Sequence, residues 1–256
     1  VGPFPEFVLL ATAMGLSIFL ALPLVLHPRA QGRFGILLSA IALGILLFLL
    51  GDIFGNVAAL IATPGAVFLT QPGDDAVFLV AVIVPFLALM ALDRPAGRGP
   101  TEPTPAFTAL VIALAMGFQN LTEGLVFGNA WSAGTVGLVA VIFTGFLLQN
   151  ITEGFPIAVP FLGRGEKPPL RPLLALFALG GLPTIAGAFI GYSFNTPWLD
   201  IAFDGAAIGT ILYVILPMMK AAFRTAAKAT TGIARIQVVY LGILGGFVLG
   251  FLVNAV

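Results

Sequence analysis

Cysteine is absent from the 256-residue chain, histidine occurs once, as His27, and charged residues make up only 9%. Without cysteine there is no disulfide framework, no thiolate metal site and no cysteine nucleophile. A single histidine excludes metal centres built on several imidazoles and argues against a Ser-His-Asp triad. A soluble globular domain carries roughly 25% charged residues, so this chain has too little charge to coat a water-facing surface. The basic excess of a nucleic-acid binder is missing too, because 11 Lys+Arg balance 11 Asp+Glu. What is abundant is apolar: hydrophobic residues make up 59% and the mean hydropathy is +1.11. A polytopic membrane protein is the class that remains.

A membrane-crossing helix needs roughly 20 apolar residues. Apolar runs stand near 6–26, 35–60, 76–92, 106–129, 134–162, 172–194, 199–219 and 236–255. They predict an all-α integral membrane protein of eight transmembrane helices, forming one transmembrane domain over residues 1–256. Turn chemistry such as His27-Pro28-Arg29, Gln71-Pro72-Gly73 and Lys167-Pro168-Pro169 punctuates the runs. Long continuous runs do not fit a β-barrel, whose strands are short and alternating. The first run does not read as a signal peptide, since Arg29 and Arg33 follow it and no cation precedes it. The start at Val1 carries the expectation of further residues ahead of it.

Every cation falls in alternate loops. Arg29 and Arg33 lie between runs one and two, and Arg94 and Arg98 between three and four. Arg164, Lys167 and Arg171 lie between five and six, and Lys220, Arg224, Lys228 and Arg235 between seven and eight. Cationic loops mark the cytoplasmic side, so both termini are expected outside. No Lys sits mid-helix to form a Schiff base with retinal.

Acidic residues inside such helices need a reason, since each costs roughly 2.5–3.5 kcal/mol at mid-bilayer. Glu123 lies in Gln119-Asn120-Leu121-Thr122-Glu123-Gly124, and Glu153 in Gln149-Asn150-Ile151-Thr152-Glu153-Gly154. Only Leu/Ile differs between the two, which points to an internal repeat. Positions i, i+1 and i+4 share a helix face, so Gln119, Asn120 and Glu123 line one face of the fourth helix. Gln149, Asn150 and Glu153 line one face of the fifth. The two helices are antiparallel neighbours across a short loop. Facing each other, they offer two carboxylates and four amide oxygens, a set that suits a divalent cation. Gln and Asn also serve membrane helices as hydrogen-bonding glue, for about 0.6 kcal/mol each, but glue does not need two Glu at matched positions. Asp52 and Asp204, at the outward ends of helices two and seven, are candidate entrance groups that concentrate cations. Asn56 and Thr184 read as structural.

Other features speak of packing. Gly242, Gly246 and Gly250, Gly187 and Gly191, and Gly124 and Gly128 form small-xxx-small stripes that allow close helix contact. Pro156 and Pro160 follow Glu153, and Pro183 and Pro217 are expected to interrupt helices six and seven.

The paired motifs resemble those of the ZIP family of divalent metal transporters. That family carries a His- or Gln-Asn-x-Pro-Glu-Gly motif on helix 4 and a related one on helix 5, matched here by Gln119, Asn120, Glu123 and Gly124 and by Gln149, Asn150, Glu153 and Gly154. Residues 206–217, AAIGTILYVILP, and 245–253, GGFVLGFLV, are similar to the family's seventh and last helices. The resemblance implies eight helices with both termini outside and an inverted repeat of the first and last three helices around helices 4 and 5, which carry a midplane site. The lipid bilayer and divalent metal ions are the expected partners, a homodimer is a further candidate that the sequence does not decide, and a prokaryotic plasma membrane is the expected location. The chain departs from the family in five ways. Gln119 replaces the common His. Gln149-Asn150 replaces a His, or Gln followed by Asp. Thr122 and Thr152 stand for the motif Pro. Thr184 stands where many bacterial members have a metal-bridging Glu, which makes it an accessory position and argues against a second metal. The loop after helix three also lacks the family's His cluster.

The expected function is therefore divalent cation transport, with Zn, Fe or Mn as substrate, no organic cofactor, no nucleic-acid partner and no enzymatic activity. Amide oxygen in place of imidazole shifts relative preference toward harder ions. No G-x-x-x-x-G-K-[ST] motif is present, so transport is not ATP-driven. Two rivals belong to other classes. One is a non-transporting ZIP-like membrane sensor or scaffold with a decayed site. The other is a proton-coupled carrier of an organic solute, disfavoured for anions by the lack of intramembrane Arg.

Overall fold

The computed structural model describes residues 3–27, 33–61, 71–92, 104–134, 136–162, 169–194, 197–227 and 232–254. Among them there are no strands. The helices fall into eight segments, one on each apolar run. They are α1 (Phe4–Leu26), α2 (Arg33–Ile61), α3 (Pro72–Leu92), α4 (Pro105–Ser132), α5 (Val136–Leu162), α6 (Leu170–Ser193), α7 (Pro197–Ala227) and α8 (Gly232–Asn254). Among the described residues, α1–α4 and α6–α8 are seven helices long and apolar enough to cross a membrane. In hydrocarbon a helix satisfies its backbone groups internally, so uninterrupted apolar sequence becomes uninterrupted helix.

Proline and glycine set the ends. Thr104 caps α4 by accepting from the Phe107 N–H at 3.2 Å, and Pro105 follows in the first turn, where a missing N–H is harmless. The α4 end is closed by Gly134 at φ 74°, a left-handed conformation suited to glycine. Two segments are irregular. A turn of 3-10 helix, Ile18–Ala21, lies within α1, and α6 breaks at Leu182, before Pro183. Pro217 does not interrupt its helix: α7 runs unbroken from Pro197 to Ala227. A proline deletes one N–H and frees one carbonyl, a local loss that the turns on either side tolerate in a packed bundle. The α7 helix also outlasts its apolar run, so Lys220 and Arg224 are helical positions and not loop residues, as are Arg33, Arg171 and Arg235 in the first turns of α2, α6 and α8. The loop cations Arg29, Arg94, Arg98, Arg164, Lys167 and Lys228 lie outside the described residues.

Glycine governs which helices touch backbone to backbone. A Cβ on Gly124 would collide with the Thr184 carbonyl, and one on Gly187 with the Leu121 carbonyl, so α4 and α6 are in direct main-chain contact. Gly44 against Ile243 and Gly246 against Ile41 do the same for α2 and α8, and Gly209 against Val82 for α7 and α3. Gly181 meets the Gly15 carbonyl, joining α6 to α1, and a Cβ on Gly154 would stand 2.5 Å from the Ile18 carbonyl, joining α5 to α1. These approaches sort the bundle into three groups: α1, α4, α5 and α6; α2 and α8; and α3 and α7. Among the described glycines none makes such an approach between the groups. Between the groups, α7 packs on α4 and on α2, and α2 packs on α5, through side chains.

An aromatic cluster closes one end of the first group. The Phe7 ring stacks on Phe127 at 5.8 Å and 11°, and also meets Trp131, Phe189 and Tyr192. It ties together α1, α4 and α6.

Candidate metal centre

The two repeat motifs come to lie inside the bundle. On α4, Gln119, Asn120 and Glu123 are 4%, 0% and 6% exposed. On α5, Gln149, Asn150 and Glu153 are 5%, 0% and 0% exposed. The helices pack against each other, and Glu123 and Glu153 are within electrostatic reach of one another. Asn120 and Gln149 lie beside the Glu153 carboxylate without reaching hydrogen-bonding geometry.

The nitrogens of three motif amides are occupied. Gln119 Nε2 donates to Glu123 Oε1 at 3.3 Å. Asn120 Nδ2 donates to the Gly180 carbonyl at 2.9 Å, and Asn150 Nδ2 to the Met14 carbonyl at 3.0 Å. The oxygens are not. Gln119 Oε1, Asn120 Oδ1, Glu123 Oε2, Asn150 Oδ1 and both Glu153 oxygens are buried with no donor. An unsatisfied buried polar atom costs about 1–3 kcal/mol, and more when charged. Every one of these atoms is an acceptor, so what they lack is positive charge or a proton.

Thr122 and Thr152 act within their own helices. Thr122 donates to the Phe118 carbonyl at 3.3 Å and Thr152 to the Gln149 carbonyl at 2.7 Å. Threonine also retains the N–H that a proline would delete, so the motif backbone stays continuous.

Asp52 and Asp204 do approach the motifs. Asp52 acts electrostatically on Glu123, Glu153 and Asp204, and Asp204 acts on Glu123 while lying beside Thr122. Asp204 is buried, and Asp52 is half-buried with Oδ1 accepting from Asn254 at 2.8 Å. Thr184 is fully buried on α6 and its hydroxyl has no partner. Its carbonyl, not its side chain, meets Gly124. Asn56 is exposed.

The acid that sequence reasoning missed is Asp200, buried on α7 with Oδ1 unpaired and acting electrostatically on Asp204. The i, i+4 spacing of Asp200 and Asp204 carries that signal. Among the described residues no group of three or more His, Cys, Asp and Glu side chains is placed to hold a metal ion. The oxygen cluster has two carboxylates, and amides supply the rest.

Fold and site together define an all-α integral membrane protein that buries carboxylate and amide oxygens between two adjacent helices. The chain matches no protein-family model and no curated protein sequence.

Proposed function

We propose that the protein is a ZIP-like divalent cation transporter, with the ion held by Glu123, Glu153 and the amide oxygens beside them. The observation that carries this reading is the set of six buried acceptor oxygens without donors at repeat-matched positions of α4 and α5. A divalent cation is the kind of partner such acceptors lack, and it neutralises both carboxylates. Hard oxygen ligands favour ions of the Mn²⁺ or Fe²⁺ kind over softer ones, with Zn²⁺ bound more weakly than by imidazole.

In this reading α5 is the eighth span. It has 27 residues and Glu153 is its only charged one. The alternating cation loops then put both termini outside, in a prokaryotic plasma membrane. Asp52 and Asp204 form the outer approach to the site. Alternating access is motion of the glycine-joined group α1, α4, α5 and α6 against α2 and α7, which pack on α5 and α4 through side chains. Glu123 and Glu153 bind the ion when ionised and take up protons for the return step.

The test is metal flux into proteoliposomes, with Zn²⁺, Fe²⁺, Mn²⁺, Cd²⁺, Co²⁺ and Mg²⁺ each offered to the wild type and to a Glu123→Ala/Glu153→Ala control. Flux of at least one ion, absent from the control, is the expected result. Saturable binding without flux of any ion overturns transport in favour of a membrane metal sensor or scaffold.

A further inference from the structure

Asn120 and Asn150 occupy the second position of the repeated motif, and each binds the same kind of target. Asn120 Nδ2 reaches the Gly180 carbonyl of α6 at 2.9 Å, and Asn150 Nδ2 reaches the Met14 carbonyl of α1 at 3.0 Å. A carbonyl only accepts hydrogen bonds, so the orientation of both amides is decided: nitrogen toward the carbonyl, oxygen away from it. Both Oδ1 atoms are left buried and without a donor.

The two carbonyls stand at comparable places. Met14 lies one helical turn before the 3-10 turn Ile18–Ala21, the one irregular stretch of α1, and its carbonyl also accepts from the Ser17 hydroxyl. Gly180 precedes the break of α6, where Leu182 N–H closes on the Ala178 carbonyl and Ile185 N–H on the Leu182 carbonyl. Pro183 has no N–H, which frees the Leu179 carbonyl of its helical partner. The residue after each clamped carbonyl is a glycine, and these two glycines, Gly15 and Gly181, are where α1 and α6 cross. The pair α4–α6 is thus matched by the pair α5–α1, with one motif asparagine on each broken helix.

We propose that Asn120 and Asn150 are positioning residues: Nδ2 of each locks one helix break beside the oxygen cluster, while Oδ1 stays available to the ion. Interhelical glue accounts for one such bond. It does not account for two at repeat-matched positions, each on the carbonyl leading into a helix irregularity. The consequence is that ion occupancy and the conformation of two broken helices are set by the same two side chains. The inference rests on the cation-carrier reading for the role of Oδ1, and on the hydrogen bonds alone for the role of Nδ2.

The experiment is hydrogen–deuterium exchange of the full chain in detergent micelles, with and without Mn²⁺. In metal-free protein, Asn120→Ala is expected to speed exchange at residues 180–185 about tenfold and to leave residues 15–22 unchanged. Asn150→Ala is expected to do the reverse. Locality separates a clamp from general loosening, which speeds both segments in both variants. Mn²⁺ is expected to slow exchange at both breaks of the wild type, and at only the unmutated break of each variant. Should either alanine variant fail to fold, Asn→Asp, which keeps the shape and removes the amide donor, is measured in its place. Wild-type exchange at both segments in both variants overturns the proposal, and so does equal opening of both segments. A wild type that ignores Mn²⁺ and every other ion overturns the carrier reading, while the metal-free measurements still decide the clamp.

Discussion

Glu153 has no exposed surface, and neither of its oxygens meets a donor. Its neighbour across the helix interface, Glu123, has one oxygen on Gln119 and one on nothing. Two such groups side by side oppose folding when both are ionised, and a bound cation reverses the balance. Glu153→Gln keeps the shape and removes one charge. Metal-free, the variant is expected to melt no lower than the wild type. The wild type is expected to gain about 2.7 kcal/mol at an ion concentration 100 times its Kd, and the variant to gain nothing. Thermal melting with and without Mn²⁺ reads both. At this scale the sequence was informative where chemistry resides in side chains. The repeat placed six residues on two facing surfaces, and the structure buries all six. The partners of Asn120 and Asn150 were illegible because they are main-chain carbonyls of Gly180 and Met14. Every residue carries that group, so no pattern singles it out. Asp200 was overlooked for another reason: beside Trp198 and a turn, it resembles an acid at the water interface, and only packing buries it.

Helices in this bundle differ in how they touch, and the difference is measurable with one added methyl group. Gly187 lies on the α4–α6 contact, where a Cβ would strike the Leu121 carbonyl. Gly245 on α8 faces open space. Gly187→Ala is expected to destabilise by about 1–3 kcal/mol, since backbone atoms must move apart. Gly245→Ala is expected to stabilise slightly, by about 0.5–1 kcal/mol, through helix propensity. Denaturation of the two variants side by side checks the pair. The sequence pattern assigned Gly242, Gly246 and Gly250 to a common face, and all three meet α2. Element boundaries followed hydropathy where the membrane ends the helix. They failed at α7, which continues past Lys220 to Ala227 because a helix can outlast its apolar run. The 3-10 turn in α1 had no sequence mark, since Ile18–Ala21 is as apolar as its flanks.

Orientation is a property of the whole chain, and the absence of cysteine makes it easy to measure. Phe4, Phe194 and Trp198 are exposed at one set of helix ends, while Arg171, at the start of α6, and Lys220, in the last third of α7, are exposed toward the other. A membrane-impermeant thiol reagent added to intact cells is expected to label single-cysteine variants at the first three positions. Arg171→Cys and Lys220→Cys are expected to react only after permeabilisation. The reverse pattern would invert the topology. Loop charge carries the expectation about sidedness, whereas which helix each glycine stripe meets was beyond reach, because that is decided only when the chain is folded. The aromatic cluster around Phe7 carries one more consequence. The chain has two tryptophans, and Trp131 is buried in that cluster against Phe7 and Phe127, while Trp198 is exposed. With Trp198→Phe, the ultraviolet emission of the protein becomes the signal of a single indole seated where α1 meets α4. The molecule thereby holds its own optical gauge of whether that seat stays closed when metal ions are added.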